Sequence, residues 1–314
     1  MAGPIAAIDV GTNTTLMLVA RRRHGAAPEI LADLAEVTRL GRGIGSGCRL
    51  SAEAIARTVA VLDRFAAVAR QNGAAIHAIG TEGLRRAPNA ADFLEPARQA
   101  LGVPVEVIDG DREAALTFRA VAESFPDDVR RGRVMVVDIG GGSTEIIVAD
   151  AGRVAFRRSL PLGSVRLHER HVRADPPTAA DAAAIESEIA GTLAEADAAF
   201  AVPPAAVIGV AGTVTTLSAM TLQLASYDPA RVHGALLTAA ALDAQLARLA
   251  GATEAQRGQF AGLDPRRADV IFAGALLLRA LLRRSGAGAV RVSDRGIRWG
   301  LFYASSDQDG GAPA

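Results

Sequence analysis

The 314-residue chain contains no lysine, so all 34 of its Lys/Arg positions are arginine. That absence excludes a lysine-dependent phosphate loop, a Schiff-base lysine and a Ser–Lys dyad. Any phosphate grip must come from arginine forks, backbone amides, hydroxyls or a metal. Cys48 is the single cysteine, which rules out an internal disulfide and leaves no zinc cluster, as expected of a protein of the reducing cytoplasm. Charge of one sign is not in excess: 34 Lys+Arg balance 34 Asp+Glu, so no global field draws in nucleic acid. Long apolar runs are missing as well. Ala273 to Leu282 is interrupted by Arg279, and the apolar N-terminus is broken by Asp9 and Asn13 with its arginines following instead of leading. Neither a membrane span nor a signal peptide is expected. Aromatic residues make up only 4% while 50% of residues are hydrophobic, a composition suited to small aliphatic side chains packing helices on strands.

What is present is a repeated phrase. Ala7 to Thr15 reads AIDVGTNTT and Val136 to Thr144 reads VVDIGGGST. Asp9 aligns with Asp138, Gly11 with Gly140, Thr14 with Ser143 and Thr15 with Thr144, each pair 129 positions apart. A strand ending in a carboxylate and turning through small residues offers amides and hydroxyls to phosphate beside an anchor for Mg²⁺. One copy alone reads as well as an ordinary Gly-rich hairpin; two copies predict two similar domains facing one another across a phosphate-binding cleft. Glu145 follows the second turn where Leu16 follows the first, which places a second carboxylate near Asp138 and the metal toward the second half.

The pattern predicts strands at Pro4–Val10, Thr14–Ala20, Ala74–Gly80 and Val103–Ile108. Helices are expected from Ser51 to Asn72, Ala90 to Leu101 and Asp111 to Glu123. Ser124–Arg133 reads as a linker. Beyond it, strands are expected at Val134–Ile139, Val154–Ser159, Val207–Val210 and Ala289–Ser293. Helices are expected over Thr178–Phe200, Gly212–Gln223, Thr238–Ala250, Arg267–Arg284 and Arg295–Ser305, with a frayed tail from Ser305 on. Alternating β and α elements argue for α/β layers.

Among single residues, Glu113 falls in the first turn of a helix opened by Gly110. Locally it reads first as a dipole-favoured carboxylate and second as a base orienting water toward phosphorus. Arg39, Arg85 and Arg166 stand beside Gly or Thr turns, where a guanidinium can fork onto phosphate oxygens. AGTVTTL (Ala211–Leu217) is a candidate third amide turn or a plain strand-to-helix loop, and Asp294–Arg295 a candidate helix cap. The histidines form no constellation: His168 and His171 lie in a polar stretch without further ligands, and His24, His77 and His233 stand apart.

Taken in order, AIDVGTNTT, TRLGRG, GTEGLRRAPN, VIDGDREA, VVDIGGGSTE, LPLGSVRL, GVAGTVTTL, VHG, RRADVIFAGA and VSDRGIRWG resemble the exopolyphosphatases and guanosine pentaphosphate phosphohydrolases, in the actin/hexokinase/Hsp70-type superfamily. The resemblance implies an α/β fold of two actin-like (ribonuclease H-like) domains, mixed sheets flanked by helices, with the active site in the interdomain cleft. The expected domains are 1–124 and 125–294, with 295–314 packing back on the first. It implies Glu113 as catalytic glutamate, which reverses the local reading, and Asp138 and Glu145 as metal ligands. Asp9, Gly11, Thr12, Asn13, Thr14, Gly140, Gly141, Gly142 and Ser143 become the phosphate turns, with Arg39 and Arg85 on the phosphate chain. Mg²⁺ is the expected metal, Mn²⁺ the alternative, and a monovalent cation a further candidate. The implied partners are inorganic polyphosphate or guanosine pentaphosphate and a second copy in a homodimer, without nucleic acid or membrane. Longer relatives add a helical module with His–Asp motifs that these residues lack, so a weaker hold on long polymers is expected. Trp299 stands where relatives often carry an acid. Outside hydrolysis, the superfamily fold also serves kinases and non-catalytic sensors.

Overall fold

The computed structural model describes residues 3–23, 25–43 and 49–309; His24 and Cys48 lie outside them. The chain divides into two compact units, one made of the residues up to Ala120 together with those from Ile297 on, the other of Val121–Gly296. The first opens with β1 (Ile5–Val10), β2 (Thr14–Arg21) and β3 (Glu29–Val37). It continues through α1 (Ala52–Gln71), β4 (Ala75–Gly80), α2 (Glu82–Arg86), α3 (Ala91–Leu101), β5 (Val105–Val107) and α4 (Gly110–Ser124). Its sheet runs β3-β2-β1-β4-β5, antiparallel on the hairpin side and parallel on the other. β1 is buried along its whole length because helices cover both faces, which explains why it reads as apolar up to Asp9. Side chains alternate between the faces: Ala6, Ile8 and Val10 join Leu62, Phe65 and Phe93, whereas Ile5 and Ala7 join Leu116 and Phe302. Ser51 caps α1 by accepting the Ala54 amide at 3.1 Å.

The second unit holds α5 (Pro126–Arg131), β6 (Arg133–Ile139), β7 (Thr144–Asp150), β8 (Arg153–Leu160), α6 (Ser164–His171), α7 (Ala179–Leu193) and α8 (Asp197–Phe200). Then come β9 (Ala206–Val210), α9 (Ala211–Thr221), α10 (Pro229–Val232), β10 (Leu236–Thr238), α11 (Ala239–Ala250), α12 (Glu254–Arg257), α13 (Ile271–Ser285) and β11 (Ala289–Val292). Its sheet runs β10-β11-β9-β6-β7-β8. With β10 set aside, this is the order and direction of the first sheet read from its other end, so the repeat in sequence is a repeat of architecture. The expected α/β class of mixed sheets flanked by helices is therefore what forms.

Several local expectations need correction. Ser124–Arg133 is not an open linker, since Pro126 starts α5 at a position where its missing N–H costs nothing. The stretch carrying His168 and His171 is helix α6, whose first four residues are buried while its last turn is basic. The helix expected to reach Phe200 breaks after Leu193 into a 3₁₀ turn. The tail does not fray at Ser305: α14 (Ile297–Asp309) continues. There Asp307 pairs with Arg22 and with Arg119, and Ser306 Oγ donates to the Phe302 carbonyl. Residues 310–314 lie outside the described set. β3, α2 and β10 are elements the pattern did not announce. Trp299 is core, packed against Phe302 and Tyr303. At Gly300 a Cβ would lie 1.9 Å from the Leu116 carbonyl oxygen, so α14 crosses α4 at backbone contact.

In the second unit, His233 stacks on Phe125 with centroids 5.0 Å apart, and its Nδ1 accepts the Asp294 amide at 3.3 Å. Burial first, and the Arg295 charge second, push its pKa from 6.5 down to about 4. The unfolded chain therefore takes up this proton at a higher pH than the folded one. Stability is unaffected above about 6.5 and falls as pH drops toward about 4. The variant H233Q should show a shallower loss of melting temperature across that window than the wild type. An identical slope would show that His233 does not carry it.

Candidate functional site

The two repeated turns have the same construction. In the first, Asp9 lies opposite Leu16 and Val10 opposite Thr15, and the Gly11 amide donates to Thr14 O at 3.1 Å. In the second, Asp138 lies opposite Glu145 and Ile139 opposite Thr144, and the Gly140 amide donates to Ser143 O at 3.0 Å. Asp9, Thr12 and Asn13 are buried in one; Asp138, Ser143 and Glu145 are buried in the other.

Each turn is braced through its carbonyls. Thr12 O accepts the Gly41 amide at 2.8 Å, and Asn13 O accepts those of Thr38 and Arg39 at 3.0 and 2.9 Å. Arg39 makes this contact with φ at +50°, a conformation that costs energy in a non-glycine residue. In the second turn, Gly140 O accepts Ser164 N, and Gly141 O accepts both Val165 N and Arg166 N, at 3.0 to 3.1 Å. Arg166 Nε completes the brace on Gly142 O at 2.8 Å. Among the described residues, no backbone carbonyl engages the amides of Gly141, Gly142 or Ser143. Carbonyls drawn to one side leave amides for an anion on the other. Arg166, read from sequence as a candidate phosphate grip, is 1% exposed and belongs to the brace.

Asp138 and Glu145 face one another on adjacent antiparallel strands, 8% and 1% exposed. Like charges at directly opposed positions destabilise a sheet, and more so when buried. Glu145 Oε1 accepts the Ser159 hydroxyl at 2.6 Å. Two hard oxygen donors suit Mg²⁺, which asks for one or two carboxylates and not a full protein cage. No group of three or more His, Cys, Asp or Glu gathers among the described residues. The donor set fits the expected ion.

In the first unit, Asp109 Oδ1 caps α4 by accepting the Arg112 amide, and Glu113 follows within the first turn, 7% exposed. Arg85 reaches it from α2: Nη1 lies 3.2 Å from Glu113 Oε2 and 2.7 Å from Ile108 O, while Nη2 lies 2.7 Å from Glu82 Oε2. Burial alone would lower the guanidinium pKa; the charges of Glu113 and Glu82 outweigh it and hold the pKa above its ordinary value. The structure thus brings Arg85 and Glu113 together, and adds Glu82, which sequence reading quoted inside GTEGLRRAPN without singling it out. Its spacing of three from Arg85 was the available signal. Ser159 gave none, because cross-strand partners are not visible before register is known.

Such an architecture, two mixed sheets with helices on both faces and a phosphate-type hairpin at the same point of each, is that of actin-like two-domain proteins. The Ppx/GppA phosphatase family matches residues 18–309, and the chain belongs to it. It is 34% identical over 311 residues to Exopolyphosphatase 2 of Mycobacterium tuberculosis, covering 95% of this chain and 97% of that protein. It is 32% identical over 309 residues to the guanosine-5'-triphosphate,3'-diphosphate pyrophosphatase of Vibrio atlanticus, covering 96% of this chain and 59% of that one. Among solved structures, the exopolyphosphatase of Cytophaga hutchinsonii superposes with TM-score 0.89 at 27% identity, over 97% of this chain and 98% of the other. The Aquifex aeolicus Ppx/GppA protein gives 0.82 at 30%, over 99% and 100%.

The brace also makes a glycine indispensable. A Cβ on Gly163 would sit 2.3 Å from Gly141 O and 2.5 Å from Gly142 N, inside the second turn. The variant G163A should lose about 1–3 kcal/mol in urea unfolding, the usual cost of overpacking. As a control, G191A, where a Cβ meets nothing within 4 Å, should lose none.

Proposed function

We propose that this phosphoanhydride hydrolase removes the terminal phosphate of inorganic polyphosphate as orthophosphate, with Glu113 orienting the attacking water. The observation that carries the reading is the buried Glu113 carboxylate at the start of α4, held by Arg85. A carboxylate fixed in that way can take a proton from water as the water meets phosphorus. In the proposed mechanism, each turn binds phosphate oxygens through its own backbone amides, with Thr12 in the β1–β2 turn and Ser143 in the β6–β7 turn. Charge placement of this kind is the main requirement of phosphoryl transfer. Asp138 and Glu145 would hold Mg²⁺, or Mn²⁺ in its place, which supplies neutralisation of phosphate charge when bound. Ser159 orients Glu145 for that task.

Polyphosphate is favoured over guanosine pentaphosphate because the similarity to the mycobacterial exopolyphosphatase spans 97% of that protein. The second reading, a guanosine pentaphosphate 5'-phosphohydrolase, is supported by the similarity to the Vibrio enzyme. Phosphate release measured side by side on short polyphosphate, long polyphosphate and guanosine pentaphosphate decides between them.

Replacing Glu113 with Gln should lower turnover at least about a hundredfold, the low end for loss of a general base, with substrate binding retained. Near-normal release by E113Q would remove Glu113 from the reaction. Separately, S159A should raise the Mg²⁺ concentration for half-maximal activity about tenfold, as expected when a ligand loses its orienting partner. An unchanged Mg²⁺ titration would count against Glu145 as a ligand.

A further inference from the structure

Arg85 is held more firmly than contact with a phosphate chain would require. Its guanidinium has three acceptors: the Ile108 carbonyl, Glu113 and Glu82. The side chains of Glu82 and Glu113 are each 9% exposed, and that of Arg85 is 25% exposed. Ion pairs at such depth are weakly screened by salt. Glu82 and Arg85 share one turn of α2, so the backbone that places one places the other. Arg86 also lies within reach of Glu82, at 3.7 Å, from the exposed side.

A second buried carboxylate is an expensive way to anchor an arginine that a backbone carbonyl already holds. It has a different use. A guanidinium given wholly to Glu113 would occupy both carboxylate oxygens as a bidentate fork, and would stabilise the charged form against taking up a proton. Divided between two acids, it meets Glu113 through Nη1 alone. Arg85 thereby ties the carboxylate of Glu113 to that of Glu82 through one guanidinium.

Building on the reading of Glu113 above, we propose that Glu82 is a positioning residue for Glu113 that acts through Arg85, without itself touching substrate. Glu82 fixes the plane of the guanidinium, and the guanidinium fixes the carboxylate.

The test is a double-mutant cycle on the full chain, with phosphate release from polyphosphate and the melting temperature as readouts. E82Q keeps shape and an acceptor but removes the charge; it should lower kcat about tenfold while KM stays within about twofold, as misaligned catalytic groups do. E82D, which restores the charge, should recover part of the loss. In the R85Q background, E82Q should add no further loss, because the intermediary is gone. A role confined to holding α2 in place predicts the opposite: a lower melting temperature with kcat unchanged. That result overturns the proposal, as does an equal loss from E82Q with and without Arg85. The parent reading is judged separately by E113Q: turnover in wild type with loss in E113Q sustains it whatever E82Q does. A wild type without turnover overturns both.

Discussion

The site depends on where the turn carbonyls go. A short hairpin through glycine and small residues could direct its peptide planes either way. In both units the carbonyls of the turn are taken by amides that follow later in the chain: Thr38, Arg39 and Gly41 in one, Ser164, Val165 and Arg166 in the other. These bonds decide which way the remaining amides face. An anion site made of backbone is therefore set by structure on its far side, and the residues that matter most to it need not touch the ligand. A strained φ at Arg39 and an arginine buried to 1% exposure at position 166 are the energetic costs of that arrangement.

The duplicated architecture carries different chemistry in its two copies. Both hairpins end a central strand in a buried aspartate, but only the second sets a glutamate directly across from it. Leu16 in the first copy makes that turn unsuited to a cation shared between two carboxylates. The first unit instead holds a buried carboxylate on α4, Glu113, paired with Arg85 from α2. In its carboxylates the common hairpin thus differs at one equivalent point, Leu16 against Glu145, and the remaining differences lie on helices outside the repeat.

Much of this was legible in the amino-acid sequence, for identifiable reasons. The repeat exposed both turns because strand, carboxylate and glycine have fixed spacings in a hairpin. The central strands β1 and β6 were legible because burial on both faces leaves an apolar run leading up to Asp9 in one and Asp138 in the other. β3 was not, since an edge strand with one face near solvent mixes polar and apolar residues without a clean period. α2 and α6 are too short for a helical period to declare itself. The bond from Arg166 to the Gly142 carbonyl was not legible, because a guanidinium beside a glycine turn looks the same in sequence whether it points at ligand or at a carbonyl. Ser159 was silent because its contact with Glu145 runs across strands, whereas Glu82 showed only its spacing of three from Arg85. Family resemblance, not spacing, was what raised Glu113 above an ordinary helix-start carboxylate.

The path of the chain carries a consequence for biosynthesis. One face of the first sheet is covered by residues of α14, with Ile297, Trp299, Phe302 and Tyr303 packed on Ile5, Ala7 and Leu18. These strands thus wait for a helix that follows them in the chain, with the whole of the second unit synthesised in between. Until α14 has been made, that face of the nascent first unit lacks part of its apolar cover, and incompletely covered sheet faces of this kind are exposed to misassembly.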